Sequence, residues 1–214
     1  MTKKSALKKL RLGVLASHGG SNLQAIIDNC EAGRIAAEVC CVISNNKNAT
    51  ALERARRHHI PACHVCRSQF DSDEELDRAI VDILNQHKVD VVCLAGYMKI
   101  IGQQMTSRYR NRILNIHPAL LPRFGGEGMY GRRVHEAVLK SGERESGPTI
   151  HLVDEIYDHG RILAQRKVPV LPTDTPETLA ERVLKEEHRL YSETIDKIAR
   201  GHINLDEYTG DTHE

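Results

Sequence analysis

Residues 113–122 read ILNIHPALLP, an apolar run that ends in an amide and an imidazole one residue apart and is followed at once by a proline. Alternate side chains of an extended chain point the same way, so Asn115 and His117 face one side of a strand and Ile116 faces the other. Pro118 brings no N–H to a sheet, which predicts that the strand ends there. Both polar groups then lie at the carboxyl end of a strand, where open α/β sheets bind ligands. The same spacing also suits two side chains that only cap the strand and bond to a loop.

The chain around this run alternates apolar strand-like segments with amphipathic helical ones. Strands are predicted at 10–17, 38–44, 62–65, 89–95, 146–153 and 161–168, besides the run quoted above. Such alternation indicates right-handed crossovers and an α/β fold, with a mostly parallel central sheet and helices on both faces. If the second and third strands lie on one side of the first, and the fourth strand on the other, the ligand crevice lies between the first and fourth strands.

Length and composition indicate one globular domain. The chain has 214 residues, 40% of them hydrophobic and 28% charged. We expect a disordered basic arm at 1–9, a single domain at 10–201 and a polar tail at 202–214. A net charge of +1 and 4% aromatic residues argue against nucleic acid, and no apolar run approaches the ~20 residues that span a bilayer. A cytoplasmic protein, monomer or homodimer, is expected.

Histidines and cysteines cluster at 58–66, where Cys63 and Cys66 form a Cys-x-x-Cys pair. A zinc site needs two further ligands at suitable spacing, and the sequence has no second cysteine pair. A short strand with packed or partly exposed thiols is the alternative, and we favour it. No metal is therefore expected.

A glycine turn follows the first strand and precedes a helix. Gly20, Ser21 and Asn22 stand at this junction, where glycine lets an anion approach the backbone and the helix N-terminus offers free N–H groups. Neither Gly-Lys-Ser/Thr nor Gly-x-Gly-x-x-Gly occurs here, so the turn suits a single monophosphate better than a triphosphate or a dinucleotide. A bare tight turn is the alternative. The next helix, predicted at 49–58, carries basic side chains on what reads as a solvated face: Arg54, Arg56 and Arg57.

Two further loops are candidate parts of a functional site. Residues 96–102 read GYMKIIG, and a loop this apolar should be covered, either by its own helix or by a ligand. Residues 154–160 read DEIYDHG, an acid-rich turn whose spacing does not choose among its carboxylates: Asp154, Glu155 and Asp158.

In combination, these motifs resemble the folate-dependent formyltransferases over roughly residues 10–201. The resemblance implies the Rossmann-like, three-layer formyltransferase fold. It also implies that the catalytic groups are Asn115, His117 and the Asp before the glycine of the acid-rich turn, Asp158. The implied reaction moves the formyl group of 10-formyltetrahydrofolate to the amine of glycinamide ribonucleotide, in purine synthesis, without a metal.

The same resemblance implies where the two substrates bind. It assigns the ribonucleotide phosphate to Gly20, Ser21 and Asn22, and the ribose hydroxyls to Glu187. It assigns the folate to the apolar loop and the strand beside it, through Met98, Lys99, Ile100, Ile101 and Asn115. The partners it implies are small molecules only.

Three alternatives share parts of this pattern. A formyltetrahydrofolate deformylase would hydrolyse the same formyl donor, but usually has a regulatory domain before the first strand. A methionyl-tRNA formyltransferase has a second, RNA-binding domain and a basic surface. A non-catalytic nucleotide-binding module would keep the phosphate turn without the chemistry.

Overall fold

The computed structural model describes residues 8–208, which form a central sheet, a small second sheet and surrounding helices. The strands are β1 (Leu10–Leu15), β2 (Ala37–Ser44), β3 (Ala62–His64), β4 (Val91–Leu94), β5 (Ile113–His117), β6 (Glu145–Ser146), β7 (Thr149–Leu152), β8 (Ile162–Gln165) and β9 (Val168–Pro169). The helices are α1 (Ser21–Glu31), α2 (Thr50–Arg57), α3 (Asp73–Gln86), α4 (Gln103–Arg108), α5 (Arg132–Ser141) and α6 (Pro176–Ala199). Short 3₁₀ turns lie at Arg67–Gln69 and Leu205–Tyr208.

The central sheet has seven strands in the order β3-β2-β1-β4-β5-β7-β8. The pairs among the first five strands of this order are parallel, whereas β7 is antiparallel to both β5 and β8. The predicted mostly parallel sheet is confirmed, and so is the arrangement that places β2 and β3 on one side of β1 and β4 on the other. The strand order therefore reverses between β1 and β4, where a crevice opens at the carboxyl ends of the strands.

Helices cover both faces of this sheet, as predicted. On one face, Leu12 and Val14 of β1 pack in a hydrophobic cluster with buried residues of α1, α2 and α6. On the other face, Leu15 packs with buried residues of α3 and with Met105 of α4. This alternation along β1 follows from the two-residue period of a strand. A third cluster joins α5 to the first half of α6.

Two strands predicted as continuous are each broken. The segment predicted at 146–153 divides into β6 and β7 at Gly147, and the one predicted at 161–168 divides into β8 and β9. A Cβ on Gly147 would lie 1.8 Å from the Arg166 carbonyl oxygen. This glycine also has φ +142°, a backbone angle that residues with side chains rarely adopt. Pro148 follows and brings no N–H. The two short pieces, β6 and β9, pair with each other in the small second sheet.

The ends of the expected domain differ in part from the structure. Residues 1–7 of the expected arm and 209–214 of the expected tail lie outside the described residues; Lys8 and Lys9 are exposed and belong to no strand. The expected tail begins too early, because Leu205 is buried in the core and Tyr208 packs against it. No helix in the described part of the chain is both long and apolar enough to cross a membrane.

Candidate active site

A cavity of about 980 Å³ opens at the carboxyl ends of β1, β4 and β5, which is the edge that the strand order selects. Direct hydrogen bonds join the loops that follow β1 and β4 to each other beside this cavity. The Ser17 backbone N–H donates to the Gly96 carbonyl at 3.0 Å, and the Met98 N–H donates to the Ser17 hydroxyl at 2.8 Å. A volume of this size suits one or two small-molecule substrates.

Most of the site residues predicted from the sequence line this one cavity. The structure brings together Asn22, Met98, Lys99, Asn115, His117, Asp158 and Glu187 around it. Ile100 and Ile101 do not line it, because Ile100 is 74% exposed and Ile101 packs against the hydrophobic cluster under α3 and α4. Gly20 and Ser21 lie just behind the wall, at the start of α1.

Asn115, His117 and Asp158 meet at the end of β5. Nδ1 of His117 lies 3.3 Å from Oδ2 of Asp158, and the Asn115 amide nitrogen lies 3.4 Å from Oδ1 of the same carboxylate. Nε2 of His117 contacts the Phe124 carbonyl at 2.7 Å. Each ring nitrogen of His117 thus faces an acceptor, an arrangement that suits an imidazolium.

Asp158 differs from the other two acids of its turn in backbone and burial. It has φ +52°, and the Gly126 N–H donates to its Oδ2 at 3.1 Å. Its side chain is 11% exposed, against 42% for Asp154, which bonds to the Ile156 N–H within its own turn. Glu155 is exposed as well.

His151 is a further member of this polar group, which the sequence reasoning missed. It lies on β7 opposite Asn115, with its side chain 2% exposed. Nδ1 faces the Leu152 carbonyl at 2.8 Å, so Nδ1 carries a proton. Nε2 lies 3.0 Å from the Asn115 amide nitrogen and 3.4 Å from Oδ1 of Asp158. Nε2 can serve one of these two partners at a time: without a proton it accepts the Asn115 N–H, and with a proton it donates to Asp158.

Burial and charge act in opposite directions on the titration of this group. Burial lowers the pKa of His117 below its ordinary value, although the Asp158 carboxylate beside it raises that pKa in part. Burial alone would raise the pKa of Asp158, but its contacts with His151 and His117 outweigh burial and hold that pKa below its ordinary range. Asp158 is therefore a carboxylate at neutral pH. Negative charge that develops beside His117 favours the protonated form of that imidazole.

A second polar pair lies across the cavity, where α1 meets α6. The Asn22 amide nitrogen donates to Oε2 of Glu187 at 2.7 Å. Burial raises the pKa of Glu187, and this hydrogen bond partly offsets the rise. Among the described residues, Oδ1 of Asn22 is a buried acceptor without a partner. Glu187 lines the cavity, so its carboxyl group suits hydroxyl groups of a ligand.

The glycine turn before α1 has the geometry of an anion cradle. Gly20 has φ +67° and is the N-cap of α1, with no side chain capping the first turn. The first N–H groups of a helix lack intrahelical partners, so they remain available to an anion. Since the Asn22 side chain turns to Glu187, its contribution to the cradle is its backbone N–H.

The histidine and cysteine cluster at 58–66 shows no metal arrangement. Within residues 8–208, no group of three or more His, Cys, Asp or Glu side chains is placed to hold a metal ion. Cys63 is half-buried on β3, and burial raises the pKa of its thiol. The interpretation as a short strand with packed thiols agrees with this placement.

The chain is similar to known proteins along most of its length. A family model described as formyl transferase matches residues 10–195. A phosphoribosylglycinamide formyltransferase of Haemophilus influenzae is 40% identical over 195 residues, which are 91% of this chain and 90% of the relative. A chloroplastic enzyme of the same name from Arabidopsis thaliana is 46% identical over 197 residues, 92% of this chain and 68% of the relative.

Solved structures give the same result. The crystal structure of glycinamide ribonucleotide transformylase 1 from Symbiobacterium toebii matches with a TM-score of 0.85 and 44% identity, and the match covers 91% of this chain and 89% of that one.

Proposed function

Since the chain belongs to the formyl transferase family, we propose that it transfers the formyl group of 10-formyltetrahydrofolate to the amine of glycinamide ribonucleotide, in de novo purine synthesis. The observation that carries the proposal is the similarity to phosphoribosylglycinamide formyltransferases over nine-tenths of the chain. The cavity supports it, because a phosphate cradle and an apolar loop flank polar groups suited to acyl transfer.

The test is formation of formylated ribonucleotide and tetrahydrofolate from the two substrates. Omitting the ribonucleotide separates transfer from hydrolysis: a deformylase would still release formate, whereas a transferase would leave the folate intact. A nucleotide-binding module would give no product in either mixture.

In the proposed chemistry, the substrate amine attacks the formyl carbon, and negative charge develops on the formyl oxygen. Asn115 donates an amide N–H to that oxygen. Its contact with His151 at 3.0 Å holds the amide, while its contact with Asp158 at 3.4 Å is long enough to give way to a substrate oxygen. Donors placed in advance at a developing oxyanion typically supply ~10²–10³ each in rate.

His117 supplies the second donor. Its Nε2 now faces the Phe124 carbonyl, so a formyl oxygen that accepts this N–H replaces that carbonyl. The growing negative charge favours the imidazolium, and Asp158 stabilises that charge from Nδ1. As the bond from the formyl carbon to the folate nitrogen breaks, the proton lost by the amine passes to that nitrogen, through a water that Asp158 orients. No protein atom becomes covalently bound to the substrate.

Each substrate has its own part of the cavity. We assign the phosphate to the backbone of Gly20, Ser21 and Asn22, and the ribose hydroxyls to Glu187, whose buried carboxyl group lines the cavity. The folate ring belongs on the loop after β4. There, Met98 and Lys99 line the cavity. Ile100 is exposed on the outside of the loop, and Ile101 packs against the hydrophobic cluster below it.

Replacing Gly20 with alanine tests the phosphate cradle. A Cβ there would lie 2.8 Å from the Ala51 Cβ, and φ +67° strains any side chain, so the turn must shift and misdirect its N–H groups. We expect the KM for the ribonucleotide to rise at least ~10-fold, with the KM for the folate little changed, because a charged hydrogen bond contributes about 1.5–3 kcal/mol. Gly19→Ala is the matched control, since a Cβ there meets nothing within 4 Å. Equal effects on both substrates would place the phosphate elsewhere.

Hydrogen exchange tests the folate assignment. Met98 is 44% exposed in the loop after β4, so a bound folate analogue should slow exchange of the amides at 98–101. Mass spectrometry with and without the analogue measures this directly. Slower exchange confined to the turn before α1 would contradict the assignment.

A cytoplasmic location and a monomeric or homodimeric state complete the proposal. The location is proposed from ordinary composition and from six free cysteines, of which Cys41 and Cys93 are buried, with burial raising the pKa of each thiol to about 12. Size-exclusion chromatography with light scattering measures the oligomeric state.

A further inference from the structure

One arginine of α2 reaches the glycine turn instead of solvent. Nε of Arg54 donates to the Gly19 carbonyl at 2.8 Å, and Nη1 donates to Oε1 of Gln24 at 3.0 Å. The sequence placed this residue on a solvated face with Arg56 and Arg57. That interpretation holds for the latter two, which are exposed, and is wrong for Arg54.

The start of α2 and the turn are built as one unit. The Ala51 N–H donates to the His18 carbonyl at 3.0 Å, and the close approach of Ala51 leaves no room for a side chain at Gly20. Arg54 lies one helical turn further along α2 and bonds to Gly19, which is the next carbonyl of the same turn. The two contacts therefore hold two successive peptide groups just ahead of the N–H groups at the start of α1.

Other polar contacts fix the orientation of the Arg54 side chain. The Gln24 amide nitrogen lies 2.8 Å from Oδ1 of Asp28 and 3.0 Å from Nε2 of His58, so its oxygen is left to face Arg54. Nδ1 of His58 contacts Glu31 at 2.8 Å, which places a proton on Nδ1 and leaves Nε2 as an acceptor. The amide of Gln24 uses all its groups in this way and cannot turn without losing contacts.

Arg54 differs from Arg132 in its charged partners. Among residues 8–208, no carboxylate lies within ion-pair distance of its guanidinium, whereas Arg132 at the cavity pairs with both Glu136 and Glu177. On α6, Leu184 lines the cavity without charge, and the Lys185 side chain is exposed and is not part of the wall. Arg54 thus combines a fixed position behind the cradle with a charge that an anion can use.

We propose that Arg54 is a positioning residue for the phosphate of the substrate: it holds the Gly19 carbonyl so that the N–H groups of the turn face the phosphate, and its charge favours the dianion there. The proposal rests on the proposed function, in which this turn binds the phosphate. It gives selectivity for a phosphorylated amine over the same amine without phosphate.

Kinetics of three variants test it, with the KM for each substrate measured separately and inorganic phosphate used as a competitor of the ribonucleotide. Arg54→Ala should raise the KM for the ribonucleotide and the Ki of phosphate by roughly 10- to 100-fold, the range that one lost charged hydrogen bond produces. The kcat and the KM for the folate should stay within about twofold. Arg54→Lys should recover part of the loss, because it keeps the charge without the two-pronged contact. Arg56→Ala, which removes the same charge from an exposed position on the same helix, should behave as wild type.

The possible outcomes distinguish the role proposed for Arg54 from the phosphate assignment on which it rests. If Gly20→Ala is selective for the ribonucleotide and Arg54→Ala is not, the turn binds phosphate and the role of Arg54 is wrong. If phosphate does not compete with the ribonucleotide in the wild type, and Gly20→Ala does not affect the ribonucleotide selectively, the phosphate assignment is wrong. The role proposed for Arg54 is then wrong as well. Equal loss in kcat and in both KM values would give Arg54 a purely structural role and overturn the proposal. Should Arg54→Ala fail to fold, Arg54→Lys and Gln24→Ala serve instead, with smaller rises in the same two constants expected; no rise in either variant would overturn the proposal.

Discussion

Replacing Asn115 with alanine is expected to lower kcat by ~10²–10³-fold. The reason is that its amide is proposed to stabilise the negative charge that develops on the formyl oxygen only in the transition state. The KM for each substrate should change little, since neither the phosphate nor the folate ring depends on this side chain for most of its contacts. Steady-state kinetics with both substrates varied in turn measures the two effects separately.

The matched control is Asn85→Ala, which removes the same side chain from an exposed position on α3, away from the cavity, and should leave kcat unchanged. A second comparison uses His151, which holds the Asn115 amide at 3.0 Å. His151→Phe should lower kcat less than Asn115→Ala does, because the amide remains but loses its orientation. A rise in the KM for the folate with kcat unchanged in Asn115→Ala would show that the amide binds the ground state and has no special role in the transition state.

The parts of the fold that the sequence predicted well depend on local rules. The end of β5 at His117 follows from the proline after it. The mostly parallel sheet followed from the alternation of strands and helices, while the strand order was a condition taken from the fold class, and the structure has that order. These features need no knowledge of distant contacts.

The features that were missed depend on contacts between distant segments. The break between β6 and β7 arises where Gly147 passes the Arg166 carbonyl, a contact that no local pattern announces. His151 reads as one buried residue of a strand, and its role follows only from the antiparallel register that sets it opposite Asn115. Arg54 belongs to the same class, because a helical period indicates which face is polar but not which neighbouring turn that face meets.

The choice among the three acids shows the same limit in the candidate site. Spacing left Asp154, Glu155 and Asp158 open, and the family resemblance selected the last of them. The structure supplies a physical difference that spacing lacks: Asp158 has a positive φ and a buried carboxylate 3.3 Å from His117, while Asp154 is bonded within its own exposed turn.

Changing Asp158 to asparagine is expected to cut kcat by at least ~10², by analogy with other buried Asp–His pairs. The carboxylate raises the pKa of His117 against the lowering effect of burial, so its removal should lower that pKa further. NMR titration of the His117 ring measures this shift, and steady-state kinetics measures kcat. His117→Ala should cost a similar factor in kcat. Binding of the ribonucleotide should hardly change in either variant, since neither group is assigned to the phosphate or the ribose.

The double variant decides whether the two residues work as one. If Asp158 acts only by orienting and charging His117, Asp158→Asn with His117→Ala should be little worse than either single change, because residues that act as a unit are not additive. Additive losses would mean that Asp158 has a separate task, such as holding the water that moves the proton. Asp154→Asn is the control, since this carboxylate contacts the Ile156 N–H and His159 instead of the catalytic group, and it should stay within a few-fold of wild type. If Asp154→Asn lost most of its activity while Asp158→Asn stayed nearly normal, the choice of Asp158 as the catalytic carboxylate would be wrong.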